Sequence, residues 1–287
     1  MGAADIIPGV SGGTIALIVG IYDRLVRAIA ALDPRIMRHV MEPGRFVEEL
    51  RAMDLPFLLV LGAGIMTAVL LVSRVILVVF LAYPAQVNAF FFGLIAASAI
   101  VIFRDVTVNT VGRGATALSG FLIAFFVAGL AAGGGFHSRP VLFLAGAIAI
   151  SAMILPGISG AAFLYILGQY EFLLDALRQT VDGVLTLEFA GDTVDALTAV
   201  VIFLSGAVIG LLTTAHVVAW ALARSRQATM AFLVSLMVGA LRLPVEEIYA
   251  ITGVPGGLTA GGLLLTALIG VAVVLVLDRA TGSLEYV

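Results

Sequence analysis

The chain has 287 residues, of which 62% are hydrophobic and 11% charged, with a formal net charge of −3 and a mean hydropathy of +1.18. Soluble domains carry roughly 25% charged residues, so a water-soluble domain is excluded, as is a nucleic-acid-binding one, for which no basic surplus exists. Cysteine is absent, which removes disulfides, thiol nucleophiles and thiolate metal sites, and His39, His137 and His216 are too scattered to form a ligand cluster; neither metal nor cofactor is expected. The opening residues lack the basic start of a secretory signal peptide.

In chain order, the first feature is a Pro-Gly-x-Ser-Gly segment, Ile6-Ile7-Pro8-Gly9-Val10-Ser11-Gly12-Gly13, continuing to Gly20, Tyr22, Asp23 and Leu25. Three apolar runs follow, at residues 55–81, 87–103 and 116–132, each near the length of about 20 residues that a bilayer core requires. Residues 140–177 come next and hold a second copy of the motif, Ile154-Leu155-Pro156-Gly157-Ile158-Ser159-Gly160-Ala161, continuing to Gly168, Tyr170, Glu171 and Leu173 at a constant offset of 148. The last three runs lie at 197–223, 228–241 and 261–277. There the offset is 142, pairing Gly64 with Gly206, Leu70 with Leu212, Phe90 with Phe232 and Leu94 with Leu236.

As one helix, residues 140–177 would be about 57 Å long, too long for one crossing. The central Pro-Gly predicts two shorter helices folded back as a re-entrant hairpin. Three crossings then separate the motifs, which requires inverted halves. The expected fold is an all-α polytopic transmembrane bundle of two inverted repeats, 1–139 and 140–287, each with one re-entrant hairpin and three spans. Arginine supplies every basic side chain and gives an independent check. With the 22–54 connection cytoplasmic, Arg24, Arg27, Arg35, Arg38, Arg45, Arg51, Arg104, Arg113, Arg224, Arg226 and Arg279 fall inside, and Arg139, Arg178 and Arg242 outside. The acidic connection at 169–196 then lies outside. Only seven residues precede Pro8, about 10 Å of helix, so the remainder of a full first arm is expected upstream.

Each motif ends one helix and starts another. Its glycines admit a ligand to the backbone, and the new helix offers free N–H groups to an anion. The candidate binding residues are therefore Pro8, Gly9, Ser11, Gly12, Gly13 and Thr14 in the first copy and Pro156, Gly157, Ser159 and Gly160 in the second. Two inverted copies near the midplane are the arrangement of secondary transporters; the plainer alternative is that Pro and Gly only kink and closely pack the helices. Arg74 interrupts an apolar span and aligns with His216. It is a candidate counter-charge to a phosphate, against the alternative that it snorkels to the outer interface. His216 alone is otherwise a packed or hydrogen-bonded histidine. Asp5 is a candidate carrier of a coupling proton, although Met153 replaces it in the second copy. Tyr22 and Tyr170 are expected at the membrane interface, and Gly206 and Gly210 in helix packing.

Gly2-Ala3-Ala4-Asp5-Ile6-Ile7-Pro8-Gly9-Val10-Ser11-Gly12-Gly13-Thr14 with Gly20-Ile21-Tyr22 closely resembles the opening signature of a prokaryotic family of polyprenyl-phosphate (undecaprenyl-phosphate) transporters. The second motif and the stretches from Phe90 to Leu94 and from Phe232 to Leu236 extend the resemblance over nearly the whole chain. The departure is Ala161-Ala162 where the first copy has Gly13-Thr14, which weakens the second anion site. The resemblance implies a multi-pass plasma-membrane protein that returns a carrier lipid phosphate between leaflets, with the lipid and the bilayer as partners and homo-oligomerisation left open. A transporter of another lipid or small anion is one alternative. An intramembrane serine protease is the other, since Gly9-Val10-Ser11-Gly12 and Gly157-Ile158-Ser159-Gly160 fit a Gly-x-Ser-Gly nucleophile pattern with His216 as base. Two serines sharing one histidine fit that chemistry poorly, so no catalytic residue is assigned.

Overall fold

A computed structural model of the chain describes residues 1–2, 11–32, 53–129, 138–186 and 191–282. All regular elements among them are helices. They are α1 Gly12–Ile18, α2 Tyr22–Ala30, α3 Leu55–Ala82, α4 Pro84–Phe103, α5 Val111–Ala128, α6 Arg139–Ile154, α7 Gly160–Ile166, α8 Tyr170–Thr186, α9 Gly191–Arg224, α10 Arg226–Ala240, α11 Arg242–Thr252 and α12 Gly257–Gly282. The six apolar runs thus become α3, α4, α5, α9, α10 and α12. Among the described residues, five stretches are long and apolar enough to cross a membrane, with α10 and α11 counted as one. Their large side chains face outward as often as inward: Trp220, Leu258, Leu264, Phe126 and Val208 are all exposed. Such a surface suits lipid and makes the chain a multi-pass membrane protein.

Three helices differ from the sequence reading, which placed connections there. α2, α8 and α11 carry too many charges for a hydropathy search to find, yet each is held by one apolar face. In α2, Leu25, Val26 and Ile29 are buried while Arg24 and Arg27 point out, the spacing of an amphipathic helix.

The longest contacts pair α5 with α10, α6 with α9, and α4 with α12. Small residues let these backbones approach: an added Cβ would meet Phe143 O at Gly206 and Ala147 O at Gly210, so both glycines pack α9 on α6 as their spacing predicts. Thr214 and Ser151 add a polar tie across the same contact, Oγ1 to Oγ at 2.7 Å. Elsewhere Gly270 of α12 faces Phe90 O of α4, and Gly120 of α5 faces Phe232 O of α10. Phe90 and Phe232 are an aligned pair, so equivalent carbonyls receive glycines from the third span of opposite halves.

α9 carries the two amphipathic helices at its opposite ends. Near its start, Ala196 and Ala199 join Leu173 and Ala176 of α8 with Leu142 of α6. Near its end, Ala215, Val218 and Leu222 share the main core with Leu25, Val26 and Ile29 of α2. Ala196 and Ala215 are about 28 Å apart along the helix. The connections that the arginine count assigns to one side do meet at that second end: Asp23 pairs with Arg226, and Gln227 bonds Thr107 N and Asp105 O. At the other end Arg242 caps α5, donating to Phe125 O at 3.0 Å with its guanidinium 4.5 Å from the Phe125 ring.

Candidate functional site

The break after α6 follows from its residues. Proline disfavours a helical conformation at the residue before it, and Leu155 is extended at φ −73°, ψ 125°. Gly157 then turns the chain at φ +83°, a conformation that a side chain resists. α7 starts at Gly160, set against Ala149 O and the Met153 side chain of α6, so the chain doubles back. In the first copy Ser11, extended at φ −111°, ψ 133°, caps α1 by accepting the Gly13 N–H at 3.1 Å.

The start of α1 meets the break after α6. The Ser11 hydroxyl lies 3.2 Å from both Met153 O and Leu155 O, where α6 leaves carbonyls without helical partners. Thr14 Oγ1 accepts the Gly157 N–H at 2.8 Å. Gly13 sits so close to Ile154 that a Cβ would be 2.5 Å from its carbonyl oxygen. Ser11 is 2% exposed and Thr14 0%, with Pro156 equally deep. Segments some 140 residues apart therefore satisfy one another's polar groups in the buried interior.

The predicted site residues divide accordingly. Ser11, Gly12, Gly13 and Thr14 meet Pro156 and Gly157 at this crossing, and Ser159 and Gly160 continue from it. Ser159 is 7% exposed, and its hydroxyl makes no hydrogen bond to a described residue. Asp5, Pro8 and Gly9 lie outside the described residues. Arg74 is on α3, with its side chain also outside that description. His216 is exposed on α9 with Nδ1 2.7 Å from Leu212 O of its own helix. It bonds neither serine, and Ser11 donates to carbonyls rather than to an imidazole, which is not the arrangement of an activated nucleophile. Tyr22, expected at the interface, is instead 1% exposed in the core, with its hydroxyl unpartnered among the described residues; Tyr170 is 42% exposed. Among the described residues no group of His, Asp or Glu gathers as a metal site.

A charged cleft was missed by the sequence reading, which used its arginines only as markers of topology. It measures about 460 Å³ and is lined by Gly20, Asp23, Arg24, Arg27, Ala28 and Asp54. Arg24 forks onto Asp54 at 2.5 and 3.0 Å and lies 4.3 Å over the Phe57 ring. That hydrogen bond, and secondarily the arginine's charge, hold the Asp54 carboxyl below the usual carboxylate range. Asp23 is 3.3 Å from Arg226. Arg27 has no partner among the described residues. The available signal was Arg24 and Arg27 at i, i+3 opposite an apolar stripe.

A family model described as undecaprenyl phosphate translocase-like matches residues 1–253. A polyprenyl-phosphate transporter of Vibrio cholerae is 36% identical over 244 residues, covering 84% of this chain and 73% of that protein. No solved structure matches. A match over most of the length, together with a relative of that identity, establishes that the chain belongs to the undecaprenyl phosphate translocase-like family.

Proposed function

We propose that the protein is a flippase-type transporter that moves a polyprenyl phosphate between the leaflets of the plasma membrane, with the crossing of the two motifs as its moving centre. The observation that carries this reading is the meeting of the start of α1 with the break after α6 in the buried interior, joined by Ser11 and Thr14, in a chain related to a polyprenyl-phosphate transporter. Discontinuous helices at a repeat interface supply backbone groups that a passing headgroup can use. In this conformation those groups are occupied by each other, so the crossing is closed. Opening it would free the Gly157 N–H and the hydroxyls of Ser11 and Thr14 for a phosphate, while the prenyl tail stays in lipid. Pro8, Gly9, Gly12, Gly13, Pro156, Ser159 and Gly160 shape the same passage in this reading, Arg74 contributes charge and His216 a polar group along it, and Asp5 carries a coupling proton.

The halves 1–139 and 140–287 are read as inverted repeats. α2 and α8 at opposite ends of α9, and glycines meeting Phe90 and Phe232 from opposite halves, support that reading. Tags within 33–53 and 104–114 should be cytoplasmic, and tags at 182–192 and 246–257 external; residues 45 and 186 on one side would defeat it.

The functional test is reconstitution into vesicles with labelled polyprenyl phosphate on one face. The parent should equilibrate the label between leaflets. In Arg74→Gln, loss of a charge-assisted contact of about 1.5 to 3 kcal/mol should weaken lipid binding by roughly 10- to 150-fold. Arg74→Lys should recover part of it. Parent-like binding in a folded Arg74→Gln protein would remove that residue from the path, and a parent that moves no lipid would remove the function.

A further inference from the structure

Resting on the transporter reading, we propose that the cleft on α2 is a docking station for the phosphomonoester headgroup, separate from the motif crossing, with Arg27 and Arg24 as its anion ligands. α1 joins the two places. It has seven residues, so a headgroup leaving the crossing reaches Gly20 and the cleft within about 10 Å.

The charges are arranged for a guest anion. Asp54 and Asp23 are each opposed by one arginine, Arg24 and Arg226, and Arg24 keeps its Nη1 donors beyond the pair. Arg27, on the same face of α2 as Arg24, has no partner among the described residues, and with Arg226 drawn onto Asp23 it leaves the described side chains around the cleft one positive charge in excess. Guanidinium forks match phosphate oxygens with paired donors, and about 460 Å³ holds a phosphate with room to spare. The position favours a lipid as the source of the phosphate. Asp54 immediately precedes α3, and within the next two turns Leu59 and Val60 are 64% and 74% exposed, so the rim of the cleft runs directly onto lipid-facing surface.

Among the described residues the station has no counterpart at the other end. In the repeat alignment Arg24 corresponds to Phe172 and Arg27 to Asp175, so α8 presents a carboxylate where α2 presents Arg27. Asp175 faces Arg178 at 4.0 Å, both largely exposed. A phosphate arriving at the α2 end is held, and one at the α8 end is repelled; the bundle is biased toward the arginine-rich face.

Because the chain has no cysteine, Ala31→Cys, one turn beyond Arg27, gives a local reporter. Farnesyl phosphate should slow maleimide labelling there, and farnesol should not. Adding Arg27→Gln should raise the concentration needed for half protection by at least about tenfold, Arg27→Lys should recover part of the loss, and Arg178→Gln should change nothing. Parent-like protection in the Arg27→Gln protein, or none in the parent, overturns the station; inorganic phosphate protecting as well as farnesyl phosphate overturns the lipid as its occupant. A parent that shows Arg27-dependent protection yet moves no polyprenyl phosphate across vesicles leaves the station standing and overturns the transport reading.

Discussion

In the first motif Ser11 and Thr14 reach out to the second; in the second motif Ser159 makes no such bond among the described residues, and Ala162 stands where Thr14 would be. The hydroxyls come from one copy and the backbone groups from the other. The same division continues downstream, with Tyr22 buried and Tyr170 exposed, and with Arg24 and Arg27 opposite Phe172 and Asp175. Duplication supplies two copies of one Pro-Gly-x-Ser-Gly motif, which alone would give equal ends. Among the described residues, divergence of a few side chains makes one copy the clasp and the other the socket, and puts Arg24 and Arg27 at one end.

The largest effect that bears on this contrast is expected at Gly157. Its positive φ and the Met237 Cα atom 2.8 Å from an added Cβ both oppose a side chain. Gly157→Ala should cost about 3 kcal/mol or more, from left-handed strain together with overpacking. Gly20 has φ +73° but nothing within 4 Å, so Gly20→Ala should cost only about 1 to 2 kcal/mol. Thermal unfolding in detergent would compare them, and equal losses would deny that Gly157 is the tighter socket.

Next is Thr14→Val, which keeps shape but leaves the buried Gly157 N–H without its acceptor, at about 1 to 3 kcal/mol. Ser11→Ala should cost about 1 to 2 kcal/mol as both a cap and a cross-link are lost. Ser159→Ala should stay within about 0.5 kcal/mol. A Ser159→Ala loss as large as that of Ser11→Ala would make the two copies equivalent and end the clasp-and-socket distinction. The smallest effect belongs to Tyr22→Phe. Removing a buried hydroxyl without a partner should leave stability unchanged or raise it by up to about 1 kcal/mol, and Tyr170→Phe should do nothing measurable. A clear loss at Tyr22 would reveal a bond to that hydroxyl.

Much of the framework was open to reading from residues alone, because burial in lipid demands long uninterrupted apolar helices, and those runs cannot hide. All six apolar runs became helices, and Gly206 and Gly210 packed as their spacing implied. The repeat singled out Ser11, Thr14, Pro156 and Gly157 as special positions. It did not say that they touch. The amphipathic helices α2, α8 and α11 escaped because their charges lower the hydropathy that marked the spans, and with α2 went the arginine cleft.

By itself, then, the sequence determined the class of solvent, the number of long helices, the duplication and the places where helices must break, all properties of local composition and covalent geometry. Only the tertiary structure decided that Ser11 and Thr14 satisfy the second break, that Tyr22 turns inward while Tyr170 does not, and that among the described residues Arg27 stands without a partner beside two paired arginines. Those outcomes depend on which groups from distant segments compete for the same hydrogen bonds and the same buried volume, and no window of sequence contains both competitors.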